Sequence, residues 1–189
     1  LEYNAIGEHN VRNALAACAV GLCLGMRFGM IADGLKTFDG VQRRLQVRGE
    51  ERGVVVVEDY AHHPTEIACT LEAVRWVEPK RIVVVFQPHL FSRTKFFVDD
   101  FARVLATADL ALVTAIYPSR EEPMPGVHAG LVVDAAVAQG AHNVELLDDM
   151  NEVPAQLVPR LAEGDVVLVL GAGNINRIVT PLLETRRGF

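Results

Sequence analysis

The chain lacks any long hydrophobic run. Its most apolar early stretch, Ala14 to Met26, is broken by glycines and too short to cross a bilayer, and Leu1 to Glu8 carries no basic segment of the kind that opens a secretion signal. A soluble protein with no membrane partner is expected. Basic clusters are missing too: 18 Lys and Arg are scattered among 24 Asp and Glu, for a formal charge of -6, so nothing in the charge pattern supports nucleic-acid binding. The three cysteines, Cys18, Cys23 and Cys69, make neither a C-x-x-C pair nor an even framework, and each falls in an apolar stretch with helical spacing. They read as reduced core thiols of a cytoplasmic protein. Internal repeats and low-complexity tracts are absent as well. The first residue is Leu1 rather than Met and a helix begins almost at once, so further sequence upstream is expected.

Of the 189 residues present, half are apolar, enough for one full α/β domain with an attached piece. Val11, Leu15, Cys18 and Leu22 are spaced for a helix over His9 to Gly25, and Phe28 to Phe38 reads as a second. Asp39 to Gly49, with glycines near both ends and three arginines between, reads as a linker. Beyond it, short β-branched runs alternate with amphipathic segments. The strands are expected at Val54–Glu58, Arg81–Phe86, Leu110–Thr114, Val144–Leu147 and Val166–Leu170. The helices are expected at Thr65–Val77, Thr94–Ala106, Leu131–Gln139, Asn151–Leu161 and Ile175–Arg186. Five β-α units with continuous Val, Ile and Leu strands predict a Rossmann-like parallel sheet covered by helices on both faces. The domain boundary is expected between residues 48 and 49.

An open parallel sheet binds ligands at the carboxyl ends of its strands, and the informative residues follow those ends. Asp59, Tyr60, His62 and His63 follow the first strand, Gln87 to Arg93 the second, Tyr117 to Glu122 the third and Gly171 to Asn174 the fifth. In D-Y-A-H-H-P-T-E, Pro64 suits the first helical position and Glu66 the electropositive first turn. Helix geometry accounts for those two, but not for an acid, a tyrosine and two histidines crowded beside them. Zinc is disfavoured, because adjacent histidines point different ways and Pro64 forbids the i, i+4 helical pair of H-E-x-x-H sites. Arg93, expected just before a helix, can form a two-pronged contact with a carboxylate or phosphate; a solvated arginine is the plain alternative. The G-A-G-N-I-N loop from Gly171 departs from the G-x-G-x-x-G dinucleotide motif at Asn176, which favours a tight strand-to-helix turn near a ligand. In G-E-H-N-V-R-N, Asn10 and Asn13 lie one helical turn apart on one face; either Asn10 caps the helix, or the amides read an adenine edge.

Taken in order, G-E-H-N-V-R-N-A-L-A-A, G-V-Q-R-R-L-Q, D-Y-A-H-H-P-T-E, F-Q-P-H-L-F-S-R-T, Y-P-S-R-E-E-P-M-P-G and G-A-G-N-I resemble the carboxyl-terminal part of Mur ligases, in particular the branch that adds L-alanine. A related branch that recycles murein tripeptide also carries A-H-H-P-T; Tyr60, Glu66 and F-Q-P-H-x-x-S-R-T side with the alanine-adding one. Leu90 and Glu58 stand where many members carry arginine and aspartate. The resemblance implies that residues 1–48 end an ATP-binding central domain and that residues 49–189 form the Rossmann-like terminal domain. It implies that His9, Asn10 and Asn13 lie by the adenine, that Asp59 contacts the ribose and that Arg44 approaches the terminal phosphate of ATP. It implies that Tyr60, His62 and Arg93 surround L-alanine, with Arg93 on its carboxylate.

The family reaction would phosphorylate the lactyl carboxylate of UDP-N-acetylmuramate with ATP and Mg²⁺, after which the alanine amine would attack the acyl phosphate. Arg44 and His62 are then the catalytic candidates. No G-x-x-x-x-G-K-[ST] loop occurs in these residues, so Mg²⁺ and the β- and γ-phosphates are expected to be held mainly by upstream sequence, and the chain alone is expected to be inert. Two other classes remain open at this point: a nicotinamide-dependent oxidoreductase module and a non-catalytic interaction domain.

Overall fold

The structure is a computed structural model and describes residues 7–189; Leu1 to Ile6 lie outside the described residues. Among those described, α1 (Glu8–Cys23) and α2 (Phe28–Lys36) precede a six-stranded sheet of order β1-β2-β6-β3-β4-β5. The strands are β1 (Gln46–Glu51), β2 (Val54–Asp59), β3 (Arg81–Phe86), β4 (Leu110–Val113), β5 (Val144–Leu146) and β6 (Asp165–Leu170). From β2 onward every pairing is parallel, as the five β-α units predict. The covering helices are α3 (Pro64–Arg75), α4 (Phe91–Phe96), α5 (Val98–Leu105), α6 (Gly130–Ala138), α7 (Val153–Leu157) and α8 (Val179–Gly188).

Strand alternation sorts the buried side chains onto two faces. Val57, Ile82, Val84, Phe86, Val113 and Leu168 pack with Ile67 and Leu71 of α3, Phe101 of α5 and Val132 of α6. Val56, Val83, Val85, Leu112 and Val169 pack on the other side with Leu157 of α7 and Leu182 of α8. Each such aliphatic side chain contributes about 1.5–3 kcal/mol when fully buried, which is why these strands need apolar residues at every position rather than every second one.

Three expectations need correction. The segment expected to be a linker ends in structure: Gln46 to Gly49 belong to β1, which pairs antiparallel with β2, so the boundary at 48/49 falls inside a strand. The hairpin turns through Arg52 (φ 50°) and Gly53 (φ 72°), the pair of positive φ values that a tight two-residue turn requires. The helix expected at Thr94 starts at Phe91 and breaks at Phe97 (φ −110°, ψ 20°), so Arg93 sits inside α4 instead of before it. In α1 the buried residues are Ala14, Cys18 and Gly21, whereas Val11, Leu15 and Leu22 are exposed. The small face wins because Ile31 of α2 approaches so closely that a Cβ on Gly21 would lie 2.8 Å from its Cδ1. Finally, Cys18 is buried but Cys23, at the end of α1, is exposed and is not a core thiol.

Candidate functional site

The parallel strands β2, β6 and β3 deliver their carboxyl ends to one edge of the sheet, and the loops leaving them interlock there. After β2, the chain turns into α3 through a reciprocal cap. The Thr65 N–H donates to His63 Nδ1 (3.2 Å), and the Glu66 carboxylate accepts from the N–H groups of His62 (3.0 Å) and His63 (3.2 Å). Pro64 occupies the first helical position, where its missing N–H costs nothing. Burial raises the Glu66 carboxyl, but those N–H groups and the nearby His62 and Arg44 outweigh it and leave the group below its ordinary range. His63 is thereby a capping residue, and its ring packs edge-on against Phe97 at 4.6 Å.

His62 turns the other way. Its Nδ1 lies 2.8 Å from the Tyr60 carbonyl, which can only accept, so a proton sits on Nδ1, and whenever the ring is neutral Nε2 keeps the lone pair. Its ring lies edge-on to Tyr60 at 5.4 Å and 5.7 Å from the ring of His89. His89, in turn, stacks on Tyr117 at 5.8 Å and has its Nδ1 3.4 Å from Arg93 Nη1. Burial, followed by the charges of Arg93 and His62, pushes the His89 imidazole below its ordinary value. Tyr60, His62 and Arg93 are thus linked through His89, which, like Tyr117, the sequence places after a strand end without giving it a role. The i, i+4 spacing of His89 and Arg93 becomes informative only once α4 is known to start at Phe91.

The linker contributes two adjacent arginines with different surroundings. Arg43 (φ 59°) donates from Nε to Glu58 (2.6 Å) and from Nη2 to the carbonyls of Gly171 (2.8 Å) and Gly173 (3.3 Å), and its guanidinium lies 4.8 Å from the centre of the Tyr60 ring. The fully buried Glu58 also pairs with Arg48 of β1. Arg44 is 48 % exposed and only loosely paired, 3.7 Å from Glu66 and 3.9 Å from Asp59. Asp59 itself accepts from the N–H groups of Leu45 (2.9 Å) and Ala61 (2.8 Å), tying the linker to the strand end. Burial raises its pKa despite those bonds.

The Gly171–Asn174 loop is tight, as expected, but its glycines are required by the protein's own side chains. A Cβ on Gly173 would lie 2.4 Å from Gln87 Oε1 and 2.5 Å from Tyr117 Cγ. Gln87 clamps the loop, donating to Asn174 Oδ1 (2.9 Å) and accepting from the Ile175 N–H (3.2 Å).

His9, Asn10, Asn13, Arg44 and Asp59 line one cleft of about 560 Å³, together with Phe38, Thr65, Glu66 and Thr70. That volume lies within the usual range of small-molecule sites. The cap of α1 is Gly7, whose backbone approaches α3 so closely that a Cβ would lie 2.9 Å from that of Ala73; Asn10 sits within the first turn and is not the cap. Chemically, the cleft offers the amides of Asn10 and Asn13, the guanidinium of Arg44 and the carboxylate of Asp59.

The family model "Mur ligase, glutamate ligase domain" matches residues 43–173, from the linker arginines to the loop after β6. The chain belongs to the Mur ligase family. Among Mur ligases with curated names, it is 50 % identical over 180 residues to UDP-N-acetylmuramate–L-alanine ligase of Desulfosudis oleivorans, covering 94 % of this chain and 39 % of that protein. It is 45 % identical over 185 residues to the enzyme of the same name from Salinibacter ruber, covering 97 % of this chain and 39 % of that protein. The chain therefore spans about two-fifths of the length of these relatives. The solved UDP-N-acetylmuramate-alanine ligase MurC of Thermotoga maritima superposes with a TM-score of 0.82 at 29 % identity, over 100 % of this chain and 40 % of that one. MurF of the same organism, solved in complex with ADP, gives 0.68 at 25 % identity, over 96 % and 39 %. Membership in a ligase family, with the glycine loop packed on Gln87 and Tyr117, replaces the nicotinamide reading.

Proposed function

We propose that this Mur ligase chain serves an ATP-dependent, cytoplasmic enzyme that joins L-alanine to the lactyl carboxylate of UDP-N-acetylmuramate in peptidoglycan precursor synthesis. The observation that carries the reading is that a nucleotide-sized cleft and an arginine–histidine cluster adjoin at one sheet edge, with Tyr60 and Arg44 between them. The names of the relatives favour the alanine-adding reaction.

In this reading His9, Asn10 and Asn13 receive the adenine, where amides can both donate and accept. Asp59 faces the ribose with whatever acceptor capacity remains beyond its backbone bonds. Arg44, loosely held and on the linker, is free to follow the terminal phosphate as charge builds on it during transfer to the carboxylate. Alanine then attacks through an unprotonated amine. Arg93 holds its carboxylate away from the reacting carbon, and the Nε2 lone pair of His62 is the acceptor for the amine proton. Mg²⁺ belongs to the proposed reaction, but among the described residues no group of three or more His, Cys, Asp or Glu is clustered to hold a metal ion, so no step is assigned to it here.

The test is steady-state kinetics of Arg93→Ala in the full-length protein. Loss of a charge-assisted pair costs about 1.5–3 kcal/mol, so the KM for alanine should rise by about one to two decades while that for ATP changes little. An unchanged alanine KM, or an equal rise in both constants, would remove Arg93 from the acceptor site.

A further inference from the structure

The loops after β3 and β4 are fastened to each other along their length. The Tyr117 N–H donates to the Pro88 carbonyl (2.8 Å) and the Leu90 N–H to the Tyr117 carbonyl (3.0 Å), which makes an isolated parallel bridge between His89 and Tyr117. Four residues further on, the Glu121 carboxylate accepts from the Ser92 N–H (2.9 Å) and from the Ser92 hydroxyl. Ser119, at φ 56°, turns the chain between these two fastenings, and Arg120 lies between them. Its backbone is therefore held against the first turn of α4, the turn that carries Arg93.

The side chain of Arg120 is exposed, and it has no ion-pair partner among the described residues. The neighbouring Glu121 is already engaged by Ser92. The charged groups acting on His89 are Arg93, His62, Glu121 and Arg120, and Arg120, like Arg93, pushes the imidazole toward its neutral form. Two guanidinium groups, one from α4 and one from the loop after β4, thus bear on one imidazole, and neither has a carboxylate ion-pair partner among the described residues. Leu90, between His89 and Phe91, adds no charge of its own.

We infer that Arg120 is a second cationic arm of the acceptor site, working beside the His89–Arg93 pair to capture the carboxylate of the incoming amino acid. The inference rests on the assignment of Arg93 to that carboxylate. Because Arg120 is exposed, its pull is long-ranged and screened by salt, whereas Arg93 makes the direct contact.

The experiment compares Arg120→Ala, Arg120→Lys and Arg93→Ala in the full-length enzyme at low and high ionic strength. Arg120→Ala should raise the KM for the amino acid by about two- to fivefold at low salt, with ATP unaffected, and the effect should shrink as salt is added. Arg120→Lys should retain most of the affinity. A histidine NMR titration, with the His89 signal assigned by His89→Gln, should show the His89 pKa rising in Arg120→Ala. If Arg93→Ala raises the amino-acid KM and Arg120→Ala does not, or if the His89 titration fails to move, the second arm is refuted while the proposed function stands. If neither variant changes the amino-acid KM, the acceptor-site reading itself is overturned, and this inference with it.

Discussion

At Arg44 the linker presents a guanidinium with its nearest carboxylates 3.7 and 3.9 Å away, too far for a strong hydrogen-bonded pair. One residue earlier, Arg43 satisfies a fully buried carboxylate and two carbonyls. These surroundings predict opposite outcomes for the same substitution. Arg44→Ala should leave stability within about 0.5 kcal/mol, since an exposed, loosely paired side chain supports little of the fold. If Arg44 stabilises the transferring phosphate, turnover of the full-length enzyme should fall by about 10²–10³-fold. Arg43→Ala should instead destabilise by about 1–3 kcal/mol, because Glu58 keeps only Arg48 and the carbonyls of the glycine loop lose a donor. Urea denaturation of both variants, beside their kcat values, separates the roles. Equal stability losses would mean that Arg44 is a structural residue too. The sequence shows two adjacent arginines in a glycine-bounded segment but not which of them is spent on the fold, since that depends on partners up to 130 positions away.

Among the elements, the parallel strands were legible because burial on both faces leaves runs of Val, Ile and Leu that little else explains. β1 was not: its sequence Q-V-R-G-E-E is largely polar, and an edge strand half exposed to water carries no such signature. Its bulge between Val47 and Gly49 further disrupts the alternation that would have revealed it. Asp59, Tyr60, His62 and Arg93 were legible by their place after strand ends. Gln87, His89 and Tyr117 also follow strand ends, but their roles were not legible, because these lie in contacts between separate loops. The loop after β6 tests that picture. Gly173→Ala forces a methyl group into space already held by a clamped glutamine amide and the root of the Tyr117 ring, so neither neighbour can yield cheaply. The variant should lose about 1–3 kcal/mol in chemical denaturation. The displaced ring should also disturb its stacking partner His89, seen as a shifted imidazole resonance. Wild-type stability with an unmoved resonance would show that the loop relaxes freely and that Gly173 is not a packing requirement.

Across the whole molecule the two ends of the sheet treat their charges differently. At the carboxyl end, Arg93 and Arg120 have no carboxylate partner among the described residues, which is consistent with the proposed role of both in holding the carboxylate of the amino acid. At the amino end, Arg81 of β3 binds the buried Asp165 of β6 through both nitrogens and donates to the Arg160 carbonyl, and Arg160 grips Glu145 with two bonds of 2.7 Å. Asp165 also accepts from the Ala162 N–H at 2.8 Å. Burial raises the Asp165 carboxyl, but Arg81 and that N–H outweigh it and leave the pKa below its ordinary 3.8. Since the folded pKa is the lower one, the unfolded chain binds the proton more readily, and stability falls as the solution is acidified. The contribution is fully present above about pH 4–5, where the unfolded group is ionised, and is lost as pH falls through the folded pKa. Asp165→Asn should therefore cost about 1–3 kcal/mol at neutral pH and flatten the acid limb of the stability curve. Because Asp165 lies at the opposite end of the strands from Arg93, the variant should leave the amino-acid and ATP KM values of the full-length enzyme unchanged at temperatures where it stays folded. Thermal melts from pH 3 to 7 for both proteins, with kinetics at neutral pH, make the comparison. An acid limb parallel to wild type would show that Asp165 does not control acid stability, and a shift in either KM would show that the two ends of the sheet are not independent.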